Sequence, residues 1–85
     1  MKSSATPRFW KAYAELPPEI REQARKAWRL WQENPRHSSL RFEKKGLYWS
    51  VRISRGWRAL GGFHEGTLYW FWIGPHDEYE RLIRS

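Results

Sequence analysis

Residues 48–60 read Tyr48-Trp49-Ser50-Val51-Arg52-Ile53-Ser54-Arg55-Gly56-Trp57-Arg58-Ala59-Leu60, two runs of aromatic and β-branched residues on either side of Arg55-Gly56. Such runs joined through a Gly-containing pair predict a β-hairpin. The pattern repeats outward: Lys45-Gly46 precedes this stretch, and Glu65-Gly66 leads into Tyr69-Trp70-Phe71-Trp72-Ile73-Gly74. Strands are therefore expected over residues 40–44, 48–54, 57–63 and 67–73, consecutive in an antiparallel meander. A strand with one face on a core rarely carries a cation without a partner, because an unpaired buried charge costs several kcal/mol. Arg52 and Arg58 thus point to an anion, or to an acidic neighbour such as Asp77 or Glu78.

Upstream of the strands the periodicity is helical. Thr6-Pro7 reads as an N-cap followed by a proline at the first helical position, and Phe9, Trp10, Tyr13, Ala14 and Leu16 recur at helical spacing. Leu16-Pro17-Pro18-Glu19 breaks this helix and starts a second, along which Ile20, Ala24, Ala27, Trp28 and Trp31 form one apolar stripe. Asn34-Pro35 ends it. Arg21, Arg25 and Arg29 form a row on the same helix, with Glu22 and Lys26 spaced to pair beside it, and read as a solvated charged face. After the last strand, the segment from Pro75 through Glu78, Glu80 and Leu82 suits a short third helix that sets Tyr79, Leu82 and Ile83 against the sheet edge. The expected fold is α+β: two N-terminal helices on one face of a four-stranded antiparallel sheet, and a short C-terminal helix, all in one domain over residues 1–85. The other sheet face is expected to stay open, and residues 1–5 to be flexible.

A domain of 85 residues buries only about 60% of the surface its unfolded chain exposes, so its core must be rich in large side chains. Seven Trp, four Tyr and four Phe meet that need, and the absence of Cys excludes disulfides and thiolate metal sites. Sixteen Lys and Arg against nine Asp and Glu give a net charge of +7, with a mean hydropathy of −0.90. A basic surface of this kind suits nucleic acid or an acidic protein. No apolar run approaches the roughly 18 residues of a membrane span, and Met1-Lys2-Ser3-Ser4-Ala5 lacks the apolar block of a signal peptide, so a cytoplasmic location without a membrane partner is expected. No His/Asp/Glu spacing resembles a metal site, no cofactor is expected, and His37 and His64 read as ordinary loop or turn residues.

This layout, with its Leu-Pro-Pro-Glu break between helices, resembles the RelE/ParE superfamily of bacterial toxins from type II toxin-antitoxin systems, over almost the whole chain. Trp49-Ser50-Val51-Arg52-Ile53 followed by Trp57-Arg58-Ala59-Leu60 is similar to the pattern of YoeB-type members, and Trp72-Ile73-Gly74-Pro75-His76-Asp77-Glu78-Tyr79 is similar to the superfamily's terminal strand with its Gly, basic residue and Tyr. The resemblance implies a ribosome-dependent mRNA endonuclease that stops translation without a metal. Carried over by position, Arg58 contacts the scissile phosphate, Arg52 binds a neighbouring phosphate and His76 joins the catalytic set. Tyr79, near the family's terminal Tyr though out of strict register, completes that set, and the Lys44-Lys45 pair is placed as phosphate-binding by proximity in sequence alone. Two features depart from the pattern. RelE-type members carry two lysines on the second strand where Trp49 and Val51 stand here, and the Glu proposed as base in YoeB-type members has no counterpart in register, Glu43 being near in sequence only.

Cleavage by this route needs a base for the 2′-hydroxyl, charge stabilisation at the phosphoryl oxygens and an acid for the leaving 5′-oxygen. Arg58 suits the second task through its bidentate fork, and His76 suits acid or base work near neutral pH. Tyr79, Tyr48 and Trp57 offer stacking surfaces. Each also has an ordinary structural reading: outward arginines paired with acids, a loop histidine beside Pro75, an aromatic packed on the sheet. The implied partners are the ribosome and mRNA, and an acidic antitoxin laid over the basic groove or the sheet edge. ParE-type members keep the fold and instead poison DNA gyrase by binding, which is the competing function.

Overall fold

The computed structural model describes residues 1–84. The chain runs through β1 (Lys2–Ala5), α1 (Pro7–Ala14), α2 (Pro18–Glu33), a 3₁₀ turn (Ser38–Leu40), β2 (Glu43–Lys45), β3 (Tyr48–Ser54), β4 (Trp57–His64), β5 (Thr67–Pro75) and α3 (His76–Arg84). At the start of α1, Phe9 N–H donates to Thr6 Oγ1 at 3.2 Å, with Pro7 in the first turn. α2 also opens with a proline and ends at the extended Asn34 that precedes Pro35. Arg21 Nη1 donates to the Leu16 carbonyl at 3.2 Å, and Arg25 Nη1 to the Tyr13 hydroxyl at 2.6 Å. Part of the arginine row expected to face solvent therefore ties α2 to α1.

The sheet has five strands in the order β1-β5-β4-β3-β2, and it is mixed. β2 to β5 form the antiparallel meander. β1 lies parallel to β5, with Lys2 opposite Thr67 and Ala5 opposite Trp70. Two expectations are corrected here: the sheet is not four antiparallel strands, and residues 2–5 are a paired strand. β1 covers the edge that β5 would otherwise leave open, satisfying backbone groups that invite aggregation. Its sequence, Lys-Ser-Ser-Ala, has no β-branched or aromatic residue to announce it. At the other edge, Leu40 lies buried in the 3₁₀ turn and Arg41 follows with φ 44°, so pairing begins only at Glu43.

Two cores flank the sheet. On one face Val51, Ala59, Leu68, Trp70 and Ile73 pack with Ile20, Ala24 and Trp31 of α2, and with Phe9 and Tyr13 of α1. On the other, Leu60 and Trp72 pack under Tyr79, with Leu82 and Ile83 alongside. α3 thus lies on the sheet face rather than its edge, and the face expected to be open is partly closed. One irregularity in β5 makes both cores possible. Leu60 pairs with Trp72 and Gly61 with Trp70, which leaves Phe71 as an extra residue. Strict alternation would put Trp70 and Trp72 on one face; the bulge sends Phe71 and Trp72 toward α3 and returns Ile73 to the α1–α2 side.

α1 packs on β5 and α2 on β3, so the two helices diverge. Trp28, expected within the buried stripe, is 48% exposed in the gap, and Trp10 is 55% exposed. No helix among the described residues is long and apolar enough to cross a membrane.

Candidate functional site

The β3–β4 hairpin sets Arg52 directly opposite Arg58. By strand alternation both lie on the α3 face, in line with Ser50 and Leu60, which also pair. Arg58 Nη1 donates to the Ser54 carbonyl at 2.7 Å and to the Trp57 carbonyl at 3.0 Å, which pins the guanidinium over the turn. Its Nε and Nη2 have no hydrogen-bond partner among the described residues. Those two groups form one edge of the guanidinium, the edge that takes a carboxylate or phosphate in a bidentate fork. Burial lowers the Arg58 pKa from its ordinary value, and the facing Arg52 lowers it further against an opposing contribution from Tyr79. The group remains cationic at neutral pH. Neither Arg52 nor Arg58 forms an ion pair among the described residues, so the acidic partners considered from sequence, Asp77 and Glu78, do not serve them. Two facing, partly desolvated cations attract an anion.

α3 follows β5 without a loop, and the His76 N–H donates to the Gly56 carbonyl at 2.8 Å. This bond joins the start of α3 to the β3–β4 turn, so His76 and Tyr79 arrive beside Arg58. The guanidinium of Arg58 lies 6.0 Å from the Tyr79 ring centre, and the His76 ring is 5.4 Å from that ring. Tyr79 is only 4% exposed, sealed against Leu60 and Trp72. Its ring supports Arg58 and is not an open stacking surface. His76 Nε2 lies 3.4 Å from Glu80 Oε1, and Arg84 Nη2 lies 3.6 Å from Glu80 Oε2.

The two lysines separate. Lys45 pairs across the strands with Tyr48 on the α3 face, its Nζ 3.1 Å from Glu43 Oε1. The hydrogen bond and charge of Glu43 raise its pKa, helped by Tyr79 and Glu80. Lys44 pairs with Trp49 and so belongs to the opposite face. Trp57 packs on the α1–α2 core, away from the cluster, and Tyr48 meets Phe71 at 5.0 Å. His37 caps the 3₁₀ turn, its Nδ1 accepting from Ser39 N–H, and His64 is an exposed residue at the end of β4. Glu80 was missed by sequence reasoning. Its i+4 spacing from His76 was the available signal, and the packing of α3 onto the sheet face gives that spacing meaning.

The site therefore gathers Arg52, Arg58, His76, Tyr79 and Lys45 on one face: fixed cations, one free guanidinium edge and a half-exposed imidazole. The charge of this face suits an anion, and the imidazole is a group able to exchange a proton with a hydroxyl beside it. A groove of about 420 Å³ lies elsewhere, between α1 and α2, walled by Trp10, Trp28, Arg25 and Arg29 and floored by Trp31 and Ile73. It contains none of the cluster residues, and its apolar lining suits a protein segment better than chemistry.

The model of the ParE-like toxin domain family matches residues 18–81. Among solved structures, YafQ from E. coli superposes with a TM-score of 0.73 at 10% identity, over 92% of this chain and 96% of that one. The YoeB/ParE toxin from Agrobacterium tumefaciens does so with a TM-score of 0.65 at 22% identity, over 89% and 99%. A chain of the intact E. coli RelBE toxin-antitoxin complex gives 0.63 at 18%, over 87% and 94%. At these identities the likeness is one of fold. No curated protein matches the chain by sequence.

Proposed function

The chain belongs to the ParE-like toxin domain family of the RelE/ParE superfamily, and on that premise we propose that it is the toxin of a type II toxin-antitoxin pair and cuts mRNA on the ribosome. The observation that carries this reading is the meeting of Arg58, its outer edge free, with Arg52 and His76 on one sheet face. Arg58 grips the scissile phosphate and stabilises the charge that builds on its oxygens during in-line attack by the 2′-hydroxyl. His76 exchanges a proton with the 2′-hydroxyl or the leaving 5′-oxygen. Arg52 and Lys45 hold flanking phosphates, and Tyr79 keeps the Arg58 guanidinium in place. Lys44, on the far face, has no part in this site. So small an acid-base set works because the ribosome presents the RNA already oriented.

The test is 5′-end mapping of a defined mRNA in a purified translation system, with a parallel reaction lacking ribosomes. New ends at the A site that require ribosomes are expected, and Arg58→Ala should reduce them at least about a hundredfold while the circular dichroism spectrum is kept. The second reading, gyrase inhibition by binding alone, is favoured by the ParE-like character of the matching family model. Intact mRNA together with inhibited supercoiling by purified gyrase would replace the first reading with it.

The antitoxin's place is the α1–α2 groove. The groove is apolar with Arg25 and Arg29 on its wall, in a chain of net charge +7, which fits an amphipathic segment with acidic flanks. The fold neighbour from the E. coli RelBE complex is itself a toxin-antitoxin assembly.

A further inference from the structure

Within the cluster, two carboxylates sit among the cations, Glu43 against Lys45 and Glu80 against the imidazole. Glu80 lies one turn beyond His76 and one turn before Arg84 on α3, and contacts both, Oε1 toward His76 Nε2 at 3.4 Å and Oε2 toward Arg84 Nη2 at 3.6 Å. Its charge also acts on Lys45 and Arg58, which places it at the phosphate-binding face and not on a remote side of α3. An ordinary surface pair in this protein looks different: the side chains of Lys26 and Glu22 are 66% and 60% exposed, whereas those of His76 and Glu80 are 39% and 38% exposed.

We propose that Glu80 is the positioning residue for His76: its carboxylate accepts the Nε2–H of the imidazole, fixes the ring's tautomer and rotation, and leaves Nδ1 as the nitrogen that faces the RNA. The inference rests on the nuclease reading above. A neutral imidazole carries its proton on one nitrogen only, and the partner of that nitrogen decides which one remains to accept a proton. His76 Nδ1 has no hydrogen bond among the described residues. The 3.4 Å separation is longer than a good hydrogen bond of about 2.7–3.2 Å, as is common for catalytic contacts before substrate binds and tightens them. Arg84, on the other oxygen, holds the carboxylate turned toward the ring. Tyr79, behind the imidazole, limits its rotation.

Two measurements test this, one without RNA. Long-range ¹⁵N–¹H spectra of the free wild-type protein, at a pH where His76 is neutral, should show the Nε2-protonated form. Glu80→Ala should move His76 to a mixture of tautomers, and Glu80→Gln, which keeps an acceptor oxygen, should largely restore the wild-type form. In the ribosomal cleavage assay, Glu80→Ala should lower kcat about tenfold or more with KM little changed. In a His76→Ala background it should cost nothing further, and Arg84→Ala should have a small effect. If the wild type cuts and Glu80→Ala cuts equally well, or leaves the His76 tautomer unchanged, the role of Glu80 is refuted while the nuclease reading stands. If the wild type cuts nothing on ribosomes, both fall together.

Discussion

At the scale of single residues, the site depends on how Arg58 divides its hydrogen bonds. Nη1 is held by the Ser54 and Trp57 carbonyls and the group lies 6.0 Å from the Tyr79 ring centre, so the free edge has a fixed direction before any ligand arrives. Such preorganisation makes a cation effective at a developing charge. It also assigns Tyr79 a mechanical role. Tyr79→Phe keeps the ring against Leu60, Trp72 and Arg58, and cleavage is expected to stay within a few-fold of wild type. Tyr79→Ala opens a cavity in the smaller core and should destabilise the protein by about 3–5 kcal/mol, measured by urea titration. A Phe variant that folds but no longer cuts would show that the hydroxyl acts directly. Sequence reasoning named Arg52, Arg58 and His76 because their spacing follows the superfamily pattern, and Tyr79 because it falls close to the family's terminal Tyr, though not in strict register. It had no means to separate Lys44 from Lys45, since only the register of Glu43–Lys45 on Tyr48–Ser50 decides which neighbour faces the site.

Among the elements, β5 decides most. Its extra residue, Phe71, sends Trp72 toward α3 and Ile73 toward α2, and Gly74 then makes room for the indole of Trp72. A Cβ at Gly74 would lie 2.5 Å from that ring, too close without movement, and Gly74 stands opposite Arg58 in the ladder. Gly74→Ala is expected to cost about 1–3 kcal/mol by overpacking, seen as a lower thermal midpoint, and to reduce cleavage beyond what the lost stability explains, since the displaced Trp72 disturbs Tyr79 and Arg58. Wild-type stability with wild-type activity would mean that the indole moves aside freely. The helix starts were legible in sequence from Thr6-Pro7 and Pro17-Pro18, which act locally. The bulge was not, because Tyr69 to Ile73 is aromatic or β-branched throughout and alternation carries no signal in such a run.

For the whole molecule, the two faces of the sheet carry different features: α3 and the cations on one, the α1–α2 groove on the other, and under the proposed function these serve cleavage and antitoxin binding respectively. This separation predicts that binding of the antitoxin and cleavage can be uncoupled. Trp28→Glu alters a side chain that is only half buried, so stability should fall by no more than about 2 kcal/mol and the fold should be kept. The new charge opposes an acidic segment in the groove, and antitoxin affinity by calorimetry should fall at least about tenfold while mRNA cleavage is unchanged. Unaltered affinity would put the antitoxin elsewhere. The sequence by itself determined the α+β class, the four-strand meander and both N-terminal helices, because caps, prolines, glycine turns and hydrophobic periodicity act within a few residues of where they stand. Tertiary structure alone decided that Lys2–Ala5 pairs with β5, that α3 lies on the sheet face, that Trp28 lines an open groove and that the i,i+4 pair of His76 and Glu80 is brought to the face that carries Arg58. Those outcomes depend on which distant edges and faces remain uncovered once the chain has packed, a property that no local stretch of residues contains.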